Sequence, residues 1–234
     1  MTKLNYANYL KDKDFNINER YIEKILKPKF IKPSENILAR YNRYKKQNIL
    51  FRRVFKQVNL KDILIAKEDE LKSLIKKITP KINDLKKEHK KVIVKKIENL
   101  FKYADKYQGT TLTPFFTDNF NFRTCFYCNK DFITNFEKEE DKFVSTFQLD
   151  HFYDKGTYPY LALSFYNLIP SCPTCNSSKV KGSENCFETC ISPNDESFNF
   201  ENKVKFKLFL NKDCKNLHVQ DKKNIDIPLK EQFS

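Results

Sequence analysis

No run of about 18 uncharged apolar residues occurs anywhere in the chain, which excludes an ordinary membrane-spanning helix. The opening residues, Met1-Thr-Lys-Leu-Asn-Tyr6, lack the apolar stretch of a secretory signal, so none is expected. There is no internal repeat and no extended low-complexity segment. The seven cysteines are odd in number and include two CxxC pairs, a pattern that suits metal better than a disulfide framework. A reducing, cytoplasmic compartment is therefore expected. At 234 residues, one large domain or two small ones can each bury a core.

What is present in excess is positive charge, and it is confined to one half. The net charge is +14. Residues 1–110 hold 29 Lys/Arg against 13 Asp/Glu, a net of +16, whereas residues 111–234 hold 15 against 17, a net of −2. A composition biased toward lysine and asparagine does not by itself produce that asymmetry. It points to a polyanion or an acidic partner for the N-terminal half.

Residues 1–108 read as helical. Leu71, Leu74, Ile75 and Ile78 make one apolar stripe at helical spacing. Thr79-Pro80 then reads as the N-cap and first residue of a new helix. That helix is continued by Ile82, Leu85, Val92, Lys96, Ile97 and Leu100, with His89 on or near its stripe. Residues 1–59 are basic and aromatic, with weaker periodicity. Tyr107 to Pro114, with Gly109 inside it, reads as the boundary. Beyond it, Glu137–Lys142 reads as a charged loop or hairpin tip, and Lys203–Leu208 alternates as a half-buried strand.

Two cysteine pairs, Cys125-Phe-Tyr-Cys128 and Cys172-Pro-Thr-Cys175, stand 43 residues apart. Four thiolates satisfy the tetrahedral preference of Zn²⁺ and leave no open position, so the site they predict is structural. Cys186, Cys190 and Cys214 read as ordinary buried cysteines.

Inside this frame lie Asp150-His151, Asn167 and Asn176. Phe143–Leu149 is β-branched and aromatic and reads as a strand entering Asp150-His151. A 15-residue loop, Phe152 to Tyr166, separates it from a short second strand, Asn167–Pro170. Pro173 is expected to open a helix carrying Cys175, Asn176 and Lys179 as far as Gly182. A hard ion such as Mg²⁺ or Mn²⁺ takes oxygen ligands and keeps several waters, so Asp150 and Asn176 are enough protein ligands. A histidine near neutral pKa can act as general base, which is the role expected of His151. Lys179 and Lys155 are candidates to hold flanking phosphates. Together these residues suit phosphodiester hydrolysis.

Leu149-Asp150-His151-Phe152, followed by Tyr166-Asn167-Leu-Ile-Pro-Ser-Cys172-x-x-Cys175-Asn176-x-x-Lys179, resembles an HNH endonuclease of the ββα-metal (His-Me finger) superfamily. It is similar to the zinc-ribbon variant with asparagine in place of the last histidine. The resemblance covers residues 120–185 and implies that His151 is the general base, that Asp150 and Asn176 hold one divalent metal, and that Asn167 braces the loop aiming His151. It also implies 5′-phosphate and 3′-hydroxyl products. Lys155 to Tyr166 resembles the HNH nucleases of bacterial anti-phage systems, of which the Septu type works beside an ATPase subunit. The expected class is thus α+β: a basic helical region over 1–108, which grips nucleic acid or docks a partner; a zinc-stapled ββα-metal nuclease domain over 109–190; and a C-terminal strand extension over 191–234. The expected substrate is DNA, and the expected partner is an ATPase or another regulatory subunit of a defence assembly. Two other readings stay open: a non-catalytic zinc-ribbon module that binds nucleic acid or a partner, and an HNH nuclease acting on RNA.

Overall fold

A computed structural model describes residues 1–27, 31–139, 142–182, 185–198, 204–206, 209–210, 225–226 and 229–231. Asparagines start its first three α-helices, α1 (Ile17–Leu26), α2 (Ile37–Gln47) and α3 (Ile49–Val54). The side chains of Asn16, Asn36 and Asn48 accept from the backbone N–H of Glu19, Ala39 and Phe51 at 3.2, 2.8 and 2.8 Å. Each cap satisfies an amide that a helix start would otherwise leave open and contributes about 1 kcal/mol. These helices are too short to carry a long stripe, which is why residues 1–59 show weak periodicity. Helix α4 (Leu60–Ile65) follows and buries Leu60, Ile63 and Leu64.

Helix α5 (Glu68–Asn83) buries Leu71, Ile75, Ile78 and Ile82. The break expected at Thr79-Pro80 does not occur. Pro80 lies inside the last turn of α5, and α6 starts only at Lys87. An interior proline costs about 3 kcal/mol. Burying Ile78 and Ile82 on either side contributes about 1.5–3 kcal/mol each and offsets it. Thr79 does not cap a helix; its hydroxyl hydrogen-bonds that of Tyr160 at 2.9 Å.

Helix α6 (Lys87–Phe101) buries Ile93, Ile97, Leu100 and Phe101, whereas Val92 is 50 % exposed. Ile93 rather than Val92 thus begins the inward face, and His89 stands in solvent. The buried Arg40 of α2 donates to the carbonyls of Asn99 and Leu100 at 2.8 and 2.6 Å, closing the end of α6. The stretch read as a boundary, Tyr107 to Pro114, is also helical. A π-helical segment, Tyr103–Leu112, runs into α7 (Thr113–Asn119) with Pro114 in its first turn. Proline is tolerated there because its missing N–H needs no partner. The buried Tyr107, Leu112, Phe115 and Phe116 hold the segment in the core.

Four two-stranded antiparallel sheets follow among the described residues. Strands β1 (Asn135–Glu139) and β2 (Lys142–Ser145) form a hairpin across the charge run, whose Glu140 and Asp141 lie outside the described residues. The strand expected over Phe143–Leu149 is therefore two. It ends as β2 at Ser145 and resumes as β3 (Gln148–His151). Strand β3 pairs with β4 (Leu168–Ser171), with Asp150 opposite Ile169 and His151 opposite Leu168. At the C-terminal end β5 (Val204–Phe206) pairs with β8 (Leu229–Glu231), and β6 (Phe209–Leu210) with β7 (Ile225–Asp226). Lys203, Lys207, Leu208 and Cys214 lie outside the described residues. No helix among the described residues is long and apolar enough to cross a membrane.

One connected set of buried side chains runs from Leu4 to Cys186. Helices on one side of position 108 and the β3–β4 hairpin on the other therefore share a core. Tyr6 sits at the junction, packed on Phe116, Phe120, Phe122 and Phe165, with its hydroxyl donating to the Leu168 carbonyl of β4. The Tyr21 hydroxyl donates to the Leu163 carbonyl at 2.8 Å, and Ser164 donates to the Ile63 carbonyl at 2.6 Å. The helical region thus grips the 152–167 loop from behind.

Candidate metal centre and active site

The four cysteines are brought together by two turns built alike. In the first, the Asn129 N–H donates to the Cys125 carbonyl at 2.8 Å, and Asn129 takes φ +51°, a left-handed conformation that asparagine tolerates better than most residues. In the second, which leaves β4 directly, the Asn176 N–H donates to the Cys172 carbonyl at 3.1 Å. The Cys175 N–H points at the Cys172 sulfur at 3.4 Å. All four Sγ atoms lie within 4.8 Å of one another. A tetrahedral zinc thiolate centre with bonds of about 2.3 Å sets its sulfurs roughly 3.8 Å apart, so this donor set fits a structural metal such as zinc. Partial desolvation works against a thiolate at the exposed Cys128, but the backbone amides of Asp131 and Lys130, together with the Cys125 and Cys175 side chains, outweigh it and bring its pKa down to about 7. Cys186 is buried beside the half-buried Cys190, their sulfurs 2.6 Å apart. Among the described residues no further metal-ligating group joins that pair.

The knuckle also positions the neighbouring carboxylate. Tyr127, between the first two cysteines, donates its hydroxyl to Asp150 Oδ2 at 2.5 Å. Burial first, and then the nearby Asp150 carboxylate, hold the Tyr127 pKa well above the usual phenol value, so it stays a donor. Gln148 and Asp150 are two apart on β3 and share a face. Gln148 accepts from the Asn176 amide at 2.8 Å. Asp150 and Asn176 therefore reach the same face of the hairpin, each held by a partner of its own.

His151 projects the other way, into the loop. Its Nε2 lies 3.0 Å from the Ala162 carbonyl. A carbonyl accepts and never donates, so Nε2 carries the proton and Nδ1 carries the lone pair. Burial is the main cause of a His151 pKa lowered to about 3; the Ala162 carbonyl opposes it, and Lys155 and Lys181 add to it. The ring is neutral at physiological pH, but burial holds its pKa well below the near-neutral value expected from the sequence.

Asn167 is fully buried and ties the two ends of the loop. Its Oδ1 accepts from the Tyr153 N–H at 2.7 Å, and its amide donates to the carbonyls of Tyr153 and Leu161 at 3.1 and 3.2 Å. Leu161 immediately precedes the residue that receives His151. At the loop tip Asp154 accepts from Thr157 N–H at 2.8 Å, and a Cβ at Gly156 would stand 2.9 Å from that carboxylate. Lys155, in this turn, is exposed.

Residues 173–182 form successive turns, not the helix expected from Pro173. Asn176, Ser177 and Ser178 compete for backbone groups and are poor helix formers. The N–H groups of Val180, Lys181 and Gly182 all converge on the Ser177 carbonyl at 3.2 Å, and Gly182 takes φ +57°. The consequence is a different lysine at the site. Lys179 is exposed, whereas Lys181 reaches Asp150 Oδ2 at 2.8 Å. Sequence reasoning missed Lys181 because a helix would have placed it elsewhere; it missed Tyr127 because CxxC reading attends only to the sulfurs. It also missed Glu68 at the start of α5, buried and hydrogen-bonded by the Tyr153 hydroxyl and paired with Lys72 at 3.3 Å. Burial raises the Glu68 pKa, although Tyr153 and Lys72 oppose that.

No protein-family model, no curated protein and no solved structure matches the chain.

Proposed function

We propose that the chain is a divalent-metal-dependent HNH-type endonuclease that hydrolyses DNA phosphodiester bonds, with His151 as general base. The observation that carries this reading is the His151 arrangement. A neutral imidazole, its Nε2 proton donated to the Ala162 carbonyl, has Nδ1 as its basic nitrogen. That is the protonation state a base needs to take a proton from an attacking water. Asn167 supports the aim, since it holds the carbonyl next to the one that receives His151. Asp150 and Asn176 would hold a Mg²⁺ or Mn²⁺ ion, and their oxygen atoms on one face of β3 suit a hard cation. Such an ion, when bound, supplies polarisation of the phosphate and stabilisation of the leaving oxygen. The four cysteines would fix the spacing of both segments, and the exposed Lys155 and Lys179 would contact flanking phosphates.

The basic helical region would then grip duplex backbone or dock a partner, of which an ATPase or similar regulatory subunit of a defence assembly is the proposed kind. Its net charge of +16 over residues 1–110 supports a polyanion, with affinity that falls steeply with salt. A second reading, the non-catalytic zinc module, draws on the same hairpin: His151 and Asp150 are each only 6 % exposed. End-labelled DNA duplex and RNA of the same sequence, incubated with wild type and His151→Ala, separate the readings. Cutting of DNA that His151→Ala reduces by about 10²–10⁴-fold fits the proposal. Cutting of RNA alone would move the substrate, and equal behaviour of both proteins would favour the binding module.

A further inference from the structure

Lys181 is the charged group of this site that the proposed hydrolysis leaves without a task. Its ammonium lies 2.8 Å from Asp150 Oδ2 and 3.1 Å from Oδ1, and it also donates to the His151 carbonyl at 2.5 Å. The two side chains are 12 % and 8 % exposed, so water screens the pair weakly. With Tyr127 donating to Oδ2 as well, both carboxylate oxygens are engaged. An ammonium is a compact point charge with three donors on a flexible stem. It contacts both of the oxygens that Asp150 would offer to a cation.

We infer that Lys181 is a built-in counter-ion of Asp150 that a divalent cation must displace, so that this lysine sets the metal occupancy of the site. The inference rests on the proposed role of Asp150 as metal ligand. An unpaired buried carboxylate is costly, so a lysine that supplies the balancing charge keeps the hairpin intact before metal arrives. The exchange is geometrically cheap. Lys181 belongs to a turn, not a helix, and its neighbours Lys179 and Val180 face solvent, Val180 being 60 % exposed. Charge gives the exchange a direction. Asp150 and Lys181 together are neutral; a divalent ion added to them makes the cluster doubly positive, which favours a phosphodiester beside it. The released ammonium stays within reach of that phosphate. Metal and nucleic acid therefore bind more tightly together than apart.

The test uses the full chain loaded with zinc and Mn²⁺ as the probe, with free Mn²⁺ followed by electron paramagnetic resonance. Lys181→Gln is expected to bind Mn²⁺ roughly tenfold more tightly than wild type, the worth of one charge-assisted contact. Lys181→Arg, which keeps the charge, stays near wild type, and Asp150→Asn abolishes the binding. Melting curves check that each variant folds; if Lys181→Gln does not, Lys181→Met, which keeps the apolar stem, replaces it. Equal Mn²⁺ affinity in wild type and the neutral variant, with binding still dependent on Asp150, overturns the inference and leaves the nuclease reading standing. Absence of any Asp150-dependent Mn²⁺ binding in all of these proteins overturns both.

Discussion

The two knuckles of the cysteine cluster are alike in backbone and unlike in what they carry. In each, an asparagine follows the second cysteine and its N–H returns to the carbonyl of the first, at 2.8 Å for Asn129 and 3.1 Å for Asn176. Asn129 has its side chain on Thr124, at 3.0 Å, and serves the turn. Asn176 has its side chain across the hairpin on Gln148. The first knuckle donates a tyrosine to Asp150 and the second leads to a lysine on the same carboxylate. A CxxC turn is thus a structural unit that can also aim a side chain, and the difference lies in where the chain goes next. The first turn returns on itself through Thr124 opposite Phe132, whereas the second continues from β4 along the face of β3.

The comparison breaks most completely if the shared cluster is removed. Cys172→Ser, or prolonged treatment with a strong chelator, is expected to unfold both turns together, because structural zinc supplies on the order of 10 kcal/mol in small domains. Amide hydrogen exchange is the check. Protection should vanish over 122–182 and persist in α5 and α6; loss over one turn alone would show that the knuckles fold independently.

Next in size is Asn167→Ala, which frees the Tyr153 amide and two carbonyls in a fully buried place. At about 1–3 kcal/mol for a buried group left unsatisfied, a loss near 3 kcal/mol is expected in denaturant unfolding. Asn176→Ala, by contrast, loses one half-exposed contact and should cost under about 1 kcal/mol. Equal losses would mean that Asn176 is as structural as Asn167.

His151 gives a smaller, pH-dependent effect. Its folded pKa, about 3, lies below the unfolded value of 6.5, so below pH 6.5 the unfolded chain takes up a proton that the folded protein refuses. Stability is complete above that range and falls as pH drops from 6.5 toward 3. At pH 5 the deficit from this group is about 2 kcal/mol. Wild type should therefore lose more stability between pH 7 and pH 5 than His151→Gln, read from chemical denaturation at both values. A parallel loss in both proteins would place the histidine in solvent. Also small is the effect of Tyr21→Phe, which removes one hydroxyl from the Leu163 carbonyl and should cost about 1 kcal/mol while leaving Mn²⁺ binding unchanged.

The cysteine cluster was legible because metal ligation constrains residue type and separation tightly, and the β3–β4 hairpin because β-branched and aromatic residues lead into it. The apolar stripe of α5 was legible for a similar reason, since burial follows a period. Local breakers were less reliable. Pro80 and Gly109 read as interruptions, yet flanking isoleucines and aromatics bury enough surface to carry helix through both. In the segment after Cys175 the opposite happened, and polar residues turned a predicted helix into turns. Lys181 came to Asp150 only through those turns. The capping asparagines of α1 to α3 were in plain view, but helices of 6 to 11 residues give no stripe to announce them.

The most direct test of the proposed nuclease is cleavage of supercoiled plasmid by zinc-loaded protein, with and without Mg²⁺ or Mn²⁺, wild type beside His151→Ala. Conversion to nicked or linear product is expected only with added metal, and is expected to be lost in His151→Ala. Cutting that ignores the added metal, or that His151→Ala retains in full, would contradict it.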